Sequence, residues 1–371
     1  MKLKRVHIKN FKGIKEVEID FMGPSGPRWM TALLGDNGSG KTTVLQAIAF
    51  VLSKVIGQGF HWPGFDYDRI STRGNTRVDL EVLYSREEFS LVTKMLDDLN
   101  IALPARLNGI LTSRTSVESQ SLTFTFEHEK PRHKDQDSPP YFTGETQTRD
   151  LVNILNANSQ LEPKRGAHHD GVFSTFGQVY WFTQLRNVGS VNSGPIETKE
   201  IGLFSGNWRS SVQELREVLI AWWGVEKTDQ NSKPNSKLRR LEGLLGKLFP
   251  ETKFAGMSEK LSLAATPLIS DYYFELERDG NRYDISEMSS GEQAIFPLLF
   301  EFVRLDIEES SSLVLIDELE LHLHPPEQQA LFRALPLIGP DCQYIITTHS
   351  EVLTDVIPNE WEVRLHEGRV G

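Results

Sequence analysis

The sequence predicts an α/β fold with a mixed sheet, and three observations lead to this prediction. Residues 29–34 are a continuous apolar run of strand length. Residues 43–56 follow with apolar side chains at helical spacing. The same alternation returns near the other end of the chain, where apolar strands are expected at 313–316 and 344–347. Because parallel strands need long crossover connections, we expect both ends of the chain to build one sheet.

An antiparallel β subdomain is predicted beside this sheet. Residues 3–8 and 17–21 alternate polar and apolar side chains on either side of a turn around Gly13. The residue types at 77–84 and 121–127 predict two further strands.

The middle of the chain predicts an inserted helical lobe. Residues 210–249 carry apolar side chains at helical spacing, with a polar break at 228–235. An aromatic strand is expected at 178–182, a helix at 87–100 and an exposed loop at 129–149. No heptad pattern is long enough for a long coiled coil.

The composition excludes several functional classes. The chain has 51 acidic and 40 basic residues, a formal net charge of −11, which excludes a uniformly basic nucleic-acid-binding surface but not a local one. The single cysteine, Cys342, excludes a disulfide scaffold and a cysteine-ligated zinc site. We find no signal-peptide pattern and no apolar window of about 18 residues, so we expect a cytoplasmic protein without a membrane partner.

Residues 35–42, Gly-Asp-Asn-Gly-Ser-Gly-Lys-Thr, match the phosphate-binding pattern G-x-x-x-x-G-K-[ST] between a predicted strand and a predicted helix. Glycines let successive backbone N–H groups point at phosphate oxygens, and the helix N-terminus adds partial positive charge. We expect Lys41 to reach the β- and γ-phosphates and the Thr42 hydroxyl to ligate Mg²⁺. The alternative is a flexible glycine turn. The predicted cofactors are ATP and Mg²⁺, and the predicted nucleotide-binding residues are Gly35, Asn37, Gly38, Ser39, Gly40, Lys41, Thr42 and Thr43.

Two carboxylates, Asp317 and Glu318, follow the apolar run at 313–316. A buried strand that ends at Asp317 would place a Mg²⁺ ligand beside the phosphates, and Glu318 would orient or deprotonate the attacking water. The alternative is a core strand capped by solvated acids. His349 follows the strand at 344–347, so it is a candidate γ-phosphate contact, with a structural histidine as the alternative.

Residues 289–293, Ser-Ser-Gly-Glu-Gln, precede an apolar helix and allow two interpretations. Glu292 stands three residues after Ser289, which is the spacing of a capping box. The N-terminus of the same helix is also a ready anion site.

Taken in chain order, residues 35–42, 289–293 and 317–318 and His349 resemble, respectively, the Walker A, signature, Walker B and switch-histidine elements of ABC-type ATPases. The opening Ile-Lys-Asn-Phe-Lys-Gly of residues 8–13 is similar to the ATPase heads of the SMC, RecF and double-strand-break-repair group. Residues 317–325, Asp-Glu-Leu-Glu-Leu-His-Leu-His-Pro, are closer still to the RecF-like ATPases of OLD-type and Septu-type bacterial defence systems. The resemblance covers 1–56 and 285–365, and Met288 replaces the leucine that usually precedes the signature.

The resemblance implies a head-to-tail homodimer with nucleotide sandwiched between two protomers. The signature residues Ser289, Ser290, Gly291 and Glu292 would then bind nucleotide held by the other protomer. Gln184 is the candidate glutamine that senses Mg²⁺ and the attacking water, with Arg186 as a phosphate or interface neighbour. A surface position is the alternative for both.

The resemblance also implies a division of the chain and a role. We expect a first ATPase lobe at 1–200, a helical lobe at 201–288, and residues 289–371 completing the P-loop NTPase core. The predicted function is a Mg²⁺-dependent ATPase that regulates a partner effector, a nuclease, in anti-phage defence. The alternatives are a RecF-like DNA-binding clamp in repair and a transporter subunit. Higher oligomers and DNA binding stay open.

Three further clusters carry weaker predictions. Glu320, His322 and His324 alternate like metal ligands, but the resemblance makes this a loop that faces the partner protomer. Residues 168–170 are interpreted as a solvated loop. Residues 222–223, two tryptophans, are interpreted as core or partner surface.

Overall fold

The computed structural model describes residues 1–55, 75–88, 90, 119–128, 141–143, 179–182, 212–228, 236–260, 271–307, 311–321, 323–366 and 369–370. The strands are β1 (Lys2–Phe11), β2 (Ile14–Asp20), β3 (Met22–Gly23), β4 (Gly26–Pro27), β5 (Met30–Leu34), β6 (Thr76–Ser85), β7 (Ser119–His128), β8 (Tyr141–Thr143), β9 (Val179–Phe182), β10 (Thr252–Glu259), β11 (Tyr272–Arg278), β12 (Asn281–Asp284), β13 (Leu313–Ile316), β14 (Gln343–Thr347), β15 (Glu362–His366) and β16 (Arg369–Val370). The helices are α1 (Lys41–Val55), α2 (Val212–Thr228), α3 (Lys237–Leu248), α4 (Ser290–Arg304), α5 (Pro325–Ile338) and α6 (Glu351–Thr354).

The central sheet has six strands in the order β16-β15-β5-β14-β13-β9. From β15 to β9 all neighbouring strands are parallel, and β16 is antiparallel to β15. The strands predicted at 29–34, 313–316 and 344–347 and the helix predicted at 43–56 are confirmed. Both ends of the chain therefore build one sheet, and the carboxyl ends of β5, β14, β13 and β9 meet at one edge.

The two faces of this sheet carry different helices, because successive side chains of a strand point to opposite faces. Leu313 and Leu315 pack into one core with α1 and the strands β1, β2, β6 and β7. Val314 and Ile316 pack into a second core with α2, α3, α4 and α5. Helices α1 and α4 thus lie on opposite faces of the same strands.

The antiparallel β subdomain is a five-stranded sheet in the order β2-β1-β6-β7-β8. Its four predicted strands are confirmed. The loop expected at 129–149 is wrong at 141–143, where β8 pairs with the edge of β7, for example Phe142 with Phe126. Surrounding polar and proline residues hide this three-residue strand from a pattern search.

The inserted lobe is mixed rather than purely helical. After α2 and α3, the strands β10, β11 and β12 form a three-stranded antiparallel sheet in that order, which the sequence did not predict. The register shifts between Phe254 and Gly256, and Gly256 has φ +111°. Such a bulge breaks the period-two pattern that identifies a strand.

The helices in the described ranges are short. The longest, α2, has 17 residues, so this part of the chain holds no long coiled coil. None of them has the combination of length and apolar character needed to cross a membrane. The helix expected at 87–100 lies almost entirely outside the described residues.

Candidate active site

The glycine-rich turn joins β5 to α1, and at Gly35 it has no room for a side chain. Gly35 has φ +144°, and a Cβ on it would lie 2.3 Å from the Leu365 carbonyl oxygen and 2.8 Å from Ser39 Oγ. Gly38 and Gly40 also have positive φ, +81° and +101°. The turn closes with a 3.1 Å hydrogen bond from the Ser39 N–H to the Asp36 carbonyl. The result is a cradle of backbone that suits a phosphate chain.

Lys41 opens α1 and folds back over this turn. Its Nζ donates to the carbonyl oxygens of Gly35 at 2.7 Å and Asp36 at 3.0 Å, and lies 3.4 Å from Nδ1 of His349. Only 5% of the residue is exposed. Burial lowers the pKa of Lys41, and nearby carboxylates such as Asp317 oppose that shift. The amine is therefore held, largely out of water, where an anionic ligand would stabilise its charge.

Asp317 joins the turn to the strand ends through one carboxylate oxygen. Its Oδ1 accepts from Thr42 Oγ1 at 3.0 Å and from Thr347 Oγ1 at 2.6 Å, and the residue is 1% exposed. Its backbone N–H donates to the Phe182 carbonyl at 2.8 Å. A hydroxyl and a carboxylate at this spacing are oxygen donors of the kind that Mg²⁺ prefers.

Glu318 lies in the left-handed region, with φ +48°. Its N–H donates to Thr347 Oγ1 at 2.7 Å, which fixes the turn after β13. Burial raises the pKa of Glu318, the charges of Asp317 and Glu320 raise it further, and nearby basic groups only partly offset this. A carboxylate with a raised pKa is a better proton acceptor at neutral pH.

Thr347 is a site residue that the sequence analysis missed. Its hydroxyl donates to Asp317 Oδ1 and accepts from the Glu318 N–H, so it fixes the Asp317 carboxylate and the Glu318 backbone. A buried threonine at the carboxyl end of an apolar strand is the signal that could have found it.

A hydrogen bond joins His349 to the loop that follows β13. The His349 backbone N–H donates to Glu320 Oε1 at 2.6 Å, and the residue itself is exposed. His322 lies outside the described residues, and His324 begins the cap of α5. In the described ranges no three His, Cys, Asp or Glu side chains are grouped for a metal ion.

The signature segment forms the N-terminus of α4. Ser289 caps the helix and Glu292 completes the capping box, so this interpretation is confirmed. Ser290 and Gly291 open the first turn, and a Cβ on Gly291 would lie 2.0 Å from an oxygen of the Glu327 carboxylate. The segment is thus packed against the start of α5, while Ser289 itself is exposed.

Gln184 and Arg186 lie outside the described residues, so their roles stay predictions. The nearest described residue is Phe182, the end of β9, whose carbonyl accepts from Asp317.

Comparison with known proteins decides the family. The profile described as "AAA ATPase domain" matches residues 1–354. The chain belongs to this ATPase family. The ATPase is 23% identical to the retron Ec83 probable ATPase of Escherichia coli, over 96% of this chain and 70% of that protein.

Two further relatives are longer than the chain. The ATPase is 24% identical to the Septu protein PtuA of Bacillus mycoides, over 98% of this chain but 40% of PtuA. It is 25% identical to the OLD nuclease of Thermus scotoductus, over 95% of this chain and 60% of the nuclease. The resemblance to Septu-type and OLD-type ATPases is confirmed.

Solved structures establish the fold. The SMC head bound to the C-winged helix domain of ScpA matches with a TM-score of 0.55 at 16% identity, covering 100% of this chain and 98% of that one. The SMC head with an extended coiled coil, bound to a ScpA domain derived from Pyrococcus furiosus, matches with a TM-score of 0.51 at 14% identity, covering 100% and 95%. The ATPase therefore has the SMC-type ABC head fold that its motifs predict.

Proposed function

We propose that this ATPase is Mg²⁺-dependent and works as a nucleotide-gated, head-to-tail homodimer that regulates a partner effector nuclease in bacterial anti-phage defence. One observation supports the proposed dimer. Within one protomer, the P-loop helix α1 and the signature helix α4 cover opposite faces of the central sheet. Ser289, the N-cap of α4, is exposed although its N–H and hydroxyl donate to Glu292, so the N-terminus of this helix would face nucleotide bound by a second protomer.

The P-loop side of the proposed site binds the phosphates. The groups that surround them are the backbone or side chains of Gly35, Asn37, Gly38, Ser39, Gly40, Lys41 and Thr43. Lys41 exchanges its two carbonyl partners for phosphate oxygens. Thr42 and Asp317 would hold Mg²⁺, which would supply positive charge to offset that of the phosphates.

Glu318 acts as the proton acceptor for the attacking water in this mechanism. Its raised pKa and its fixed position beside Asp317 support that role. His349, 3.4 Å from the Lys41 amine, contacts the γ-phosphate from the same edge. Gln184 remains our candidate for the residue that positions water and Mg²⁺.

The partner protomer supplies the other half of the site. Ser289, Ser290 and Gly291 present the N-terminus of α4 to the γ-phosphate, where backbone N–H groups and the helix dipole favour an anion. In the gating step, two protomers close together when ATP binds and open after it is hydrolysed. Larger assemblies of such dimers are compatible with this step.

The effector role is supported by the relatives rather than by the site. The matched proteins include a Septu protein and an OLD nuclease, and this chain spans only part of each. We propose that the hydrolysis cycle acts on a separate nuclease in the cytoplasm. We retain the division into 1–200, 201–288 and 289–371 as the proposed domain organisation.

A RecF-like DNA-binding clamp is the second candidate function, because the fold is that of SMC heads. Two arginines on the five-stranded sheet are already paired with acids: Arg5 with Glu18, and Arg77 with Asp79 and Glu127. This pairing leaves less positive charge for phosphates and favours the effector role.

Size measurement tests the proposal. Glu318→Gln protein should be monomeric without nucleotide and dimeric with ATP and Mg²⁺, and Lys41→Ala should abolish the shift. Purification from the native operon should yield a nuclease in the same complex. A protein that stays monomeric with ATP, or that binds duplex DNA with steep salt dependence and no effector, would contradict the proposal.

A further inference from the structure

We infer that Glu292 is a positioning residue that fixes the signature turn from within its own protomer, instead of contacting nucleotide. The inference rests on the proposed function, because it concerns the same composite site. It replaces the role predicted for Glu292 from the sequence.

The Glu292 carboxylate is buried, 1% exposed, and both of its oxygens accept hydrogen bonds. Oε2 accepts from the Ser289 N–H at 2.9 Å and the Ser289 hydroxyl at 2.8 Å. Oε1 accepts from Arg278 Nη2 at 2.7 Å, from the Tyr283 hydroxyl at 2.9 Å and from Thr252 Oγ1 at 3.5 Å. Oε2 therefore bonds to Ser289 of the signature, and Oε1 bonds to residues of the three-stranded sheet.

This geometry demands a carboxylate and not an amide. A glutamine has one acceptor oxygen and one NH₂ group with two donors. Whichever way the amide is turned, its NH₂ group faces either the Ser289 donors or Arg278 and Tyr283. Arg278 also compensates the buried negative charge, and charge-assisted hydrogen bonds of this kind are the strong ones.

The connection to catalysis runs through Ser289. Its hydroxyl and its N–H both point at Glu292, so the position of the carboxylate sets the conformation of the turn. Because Arg278 and Tyr283 lie on β11 and β12, the sheet that the sequence did not predict becomes the support of the signature. Loss of the hydrogen bonds to Glu292 should therefore impair the ATP site that the signature shares with the partner protomer. The P-loop of the same protomer should stay intact.

The experiment combines ATP affinity, steady-state kinetics and dimerisation. Glu292→Gln should bind ATP within about twofold of the parent, since the P-loop is a separate site. We expect its kcat to fall about tenfold or more, the factor that corresponds to the free energy of one buried hydrogen bond to a charged group. In a Glu318→Gln background it should raise the protein concentration needed for ATP-dependent dimerisation by a similar factor. The exposed Glu287→Gln is the matched control and should change none of these values.

Tyr283→Phe is the second variant, because it removes one donor and keeps the carboxylate. Its kcat should fall about threefold, with ATP affinity unchanged. This variant decides the matter if Glu292→Gln does not fold.

The outcomes separate the two claims. If Glu318→Gln alone stays monomeric with ATP, the dimer proposal fails, while a lower kcat at unchanged ATP affinity still supports positioning. Unchanged kcat in both Glu292→Gln and Tyr283→Phe would overturn the inference. So would a parental kcat in folded Tyr283→Phe beside a lowered kcat in Glu292→Gln, because a carboxylate that acts without its support from Tyr283 indicates a direct contact with the partner protomer's nucleotide.

Discussion

Thr42 and Asp317 are 275 residues apart in the chain and are joined by a 3.0 Å hydrogen bond from Oγ1 to Oδ1. The bond connects the first turn of α1 to the end of β13, so it brings together the two motifs that the two ends of the chain supply. The same pair contains the oxygen donors that we propose for Mg²⁺.

Thr42→Ala should weaken the use of Mg²⁺. The variant loses one oxygen donor and the bond that orients Asp317, so the Mg²⁺ concentration for half-maximal ATP hydrolysis should rise about 10–100-fold. Thr42→Ser keeps the hydroxyl and should behave like the parent. Titration of activity with Mg²⁺ measures this, and equal curves for Ala and Ser would refute the assignment.

Glu318→Gln should bind ATP normally and hydrolyse it about 10²–10⁴-fold more slowly, because an amide cannot take the proton of the attacking water. Single-turnover hydrolysis and equilibrium binding of ATP measure the two effects separately. Parental hydrolysis rates in this variant would show that another group is the base.

Gly35→Ala should disrupt the P-loop. Its Cβ would collide with the Leu365 carbonyl and Ser39 Oγ at a φ of +144°, so we expect loss of ATP binding and a lower melting temperature. Gly13→Ala is the control, because space around Gly13 is open. Calorimetric ATP binding checks both variants, and a Gly35→Ala protein with parental affinity would contradict the geometry.

The buried ion pair between Arg216 and Asp284 should stabilise the inserted lobe. Arg216 Nη2 lies 2.5 Å from Asp284 Oδ2, and the side chains are 8% and 6% exposed. Arg216→Met leaves a buried charge and should cost about 3–5 kcal/mol of unfolding free energy. Urea unfolding measures this cost, and the exposed Arg282→Met is the control. A loss under 1 kcal/mol, roughly the range of surface pairs, would refute the prediction.

The same pair predicts a pH dependence. Burial alone would raise the pKa of Asp284, but hydrogen bonds from Arg216 and Ser286 outweigh it and the pKa is lowered. Its stabilising contribution is therefore complete above the ordinary aspartate pKa of about 4 and is lost as pH falls through the lowered value. Urea unfolding across acid pH should show a smaller loss in Asp284→Asn than in the parent, and equal losses would contradict this.

The sequence was most informative where the candidate site residues form a short motif that directly follows a strand. The P-loop, the acids after β13 and His349 each follow an apolar strand, so local pattern was enough to place them at one sheet edge. Thr347 carries no such motif, and its role depends on Asp317 lying on the neighbouring strand. The link between Glu292 and Arg278 likewise depends on a sheet whose bulge at Gly256 hides its period.

The central claim is that each ATP site is made by two protomers, and mixing two inactive variants tests it most directly. Lys41→Ala lacks a working P-loop and Ser289→Arg lacks a working signature, so each alone should be inactive. In a head-to-tail dimer an equal mixture forms heterodimers with one intact site, and about a quarter of parental ATPase activity should return. A mixture as inactive as its components, or full activity of Ser289→Arg alone, would contradict the account.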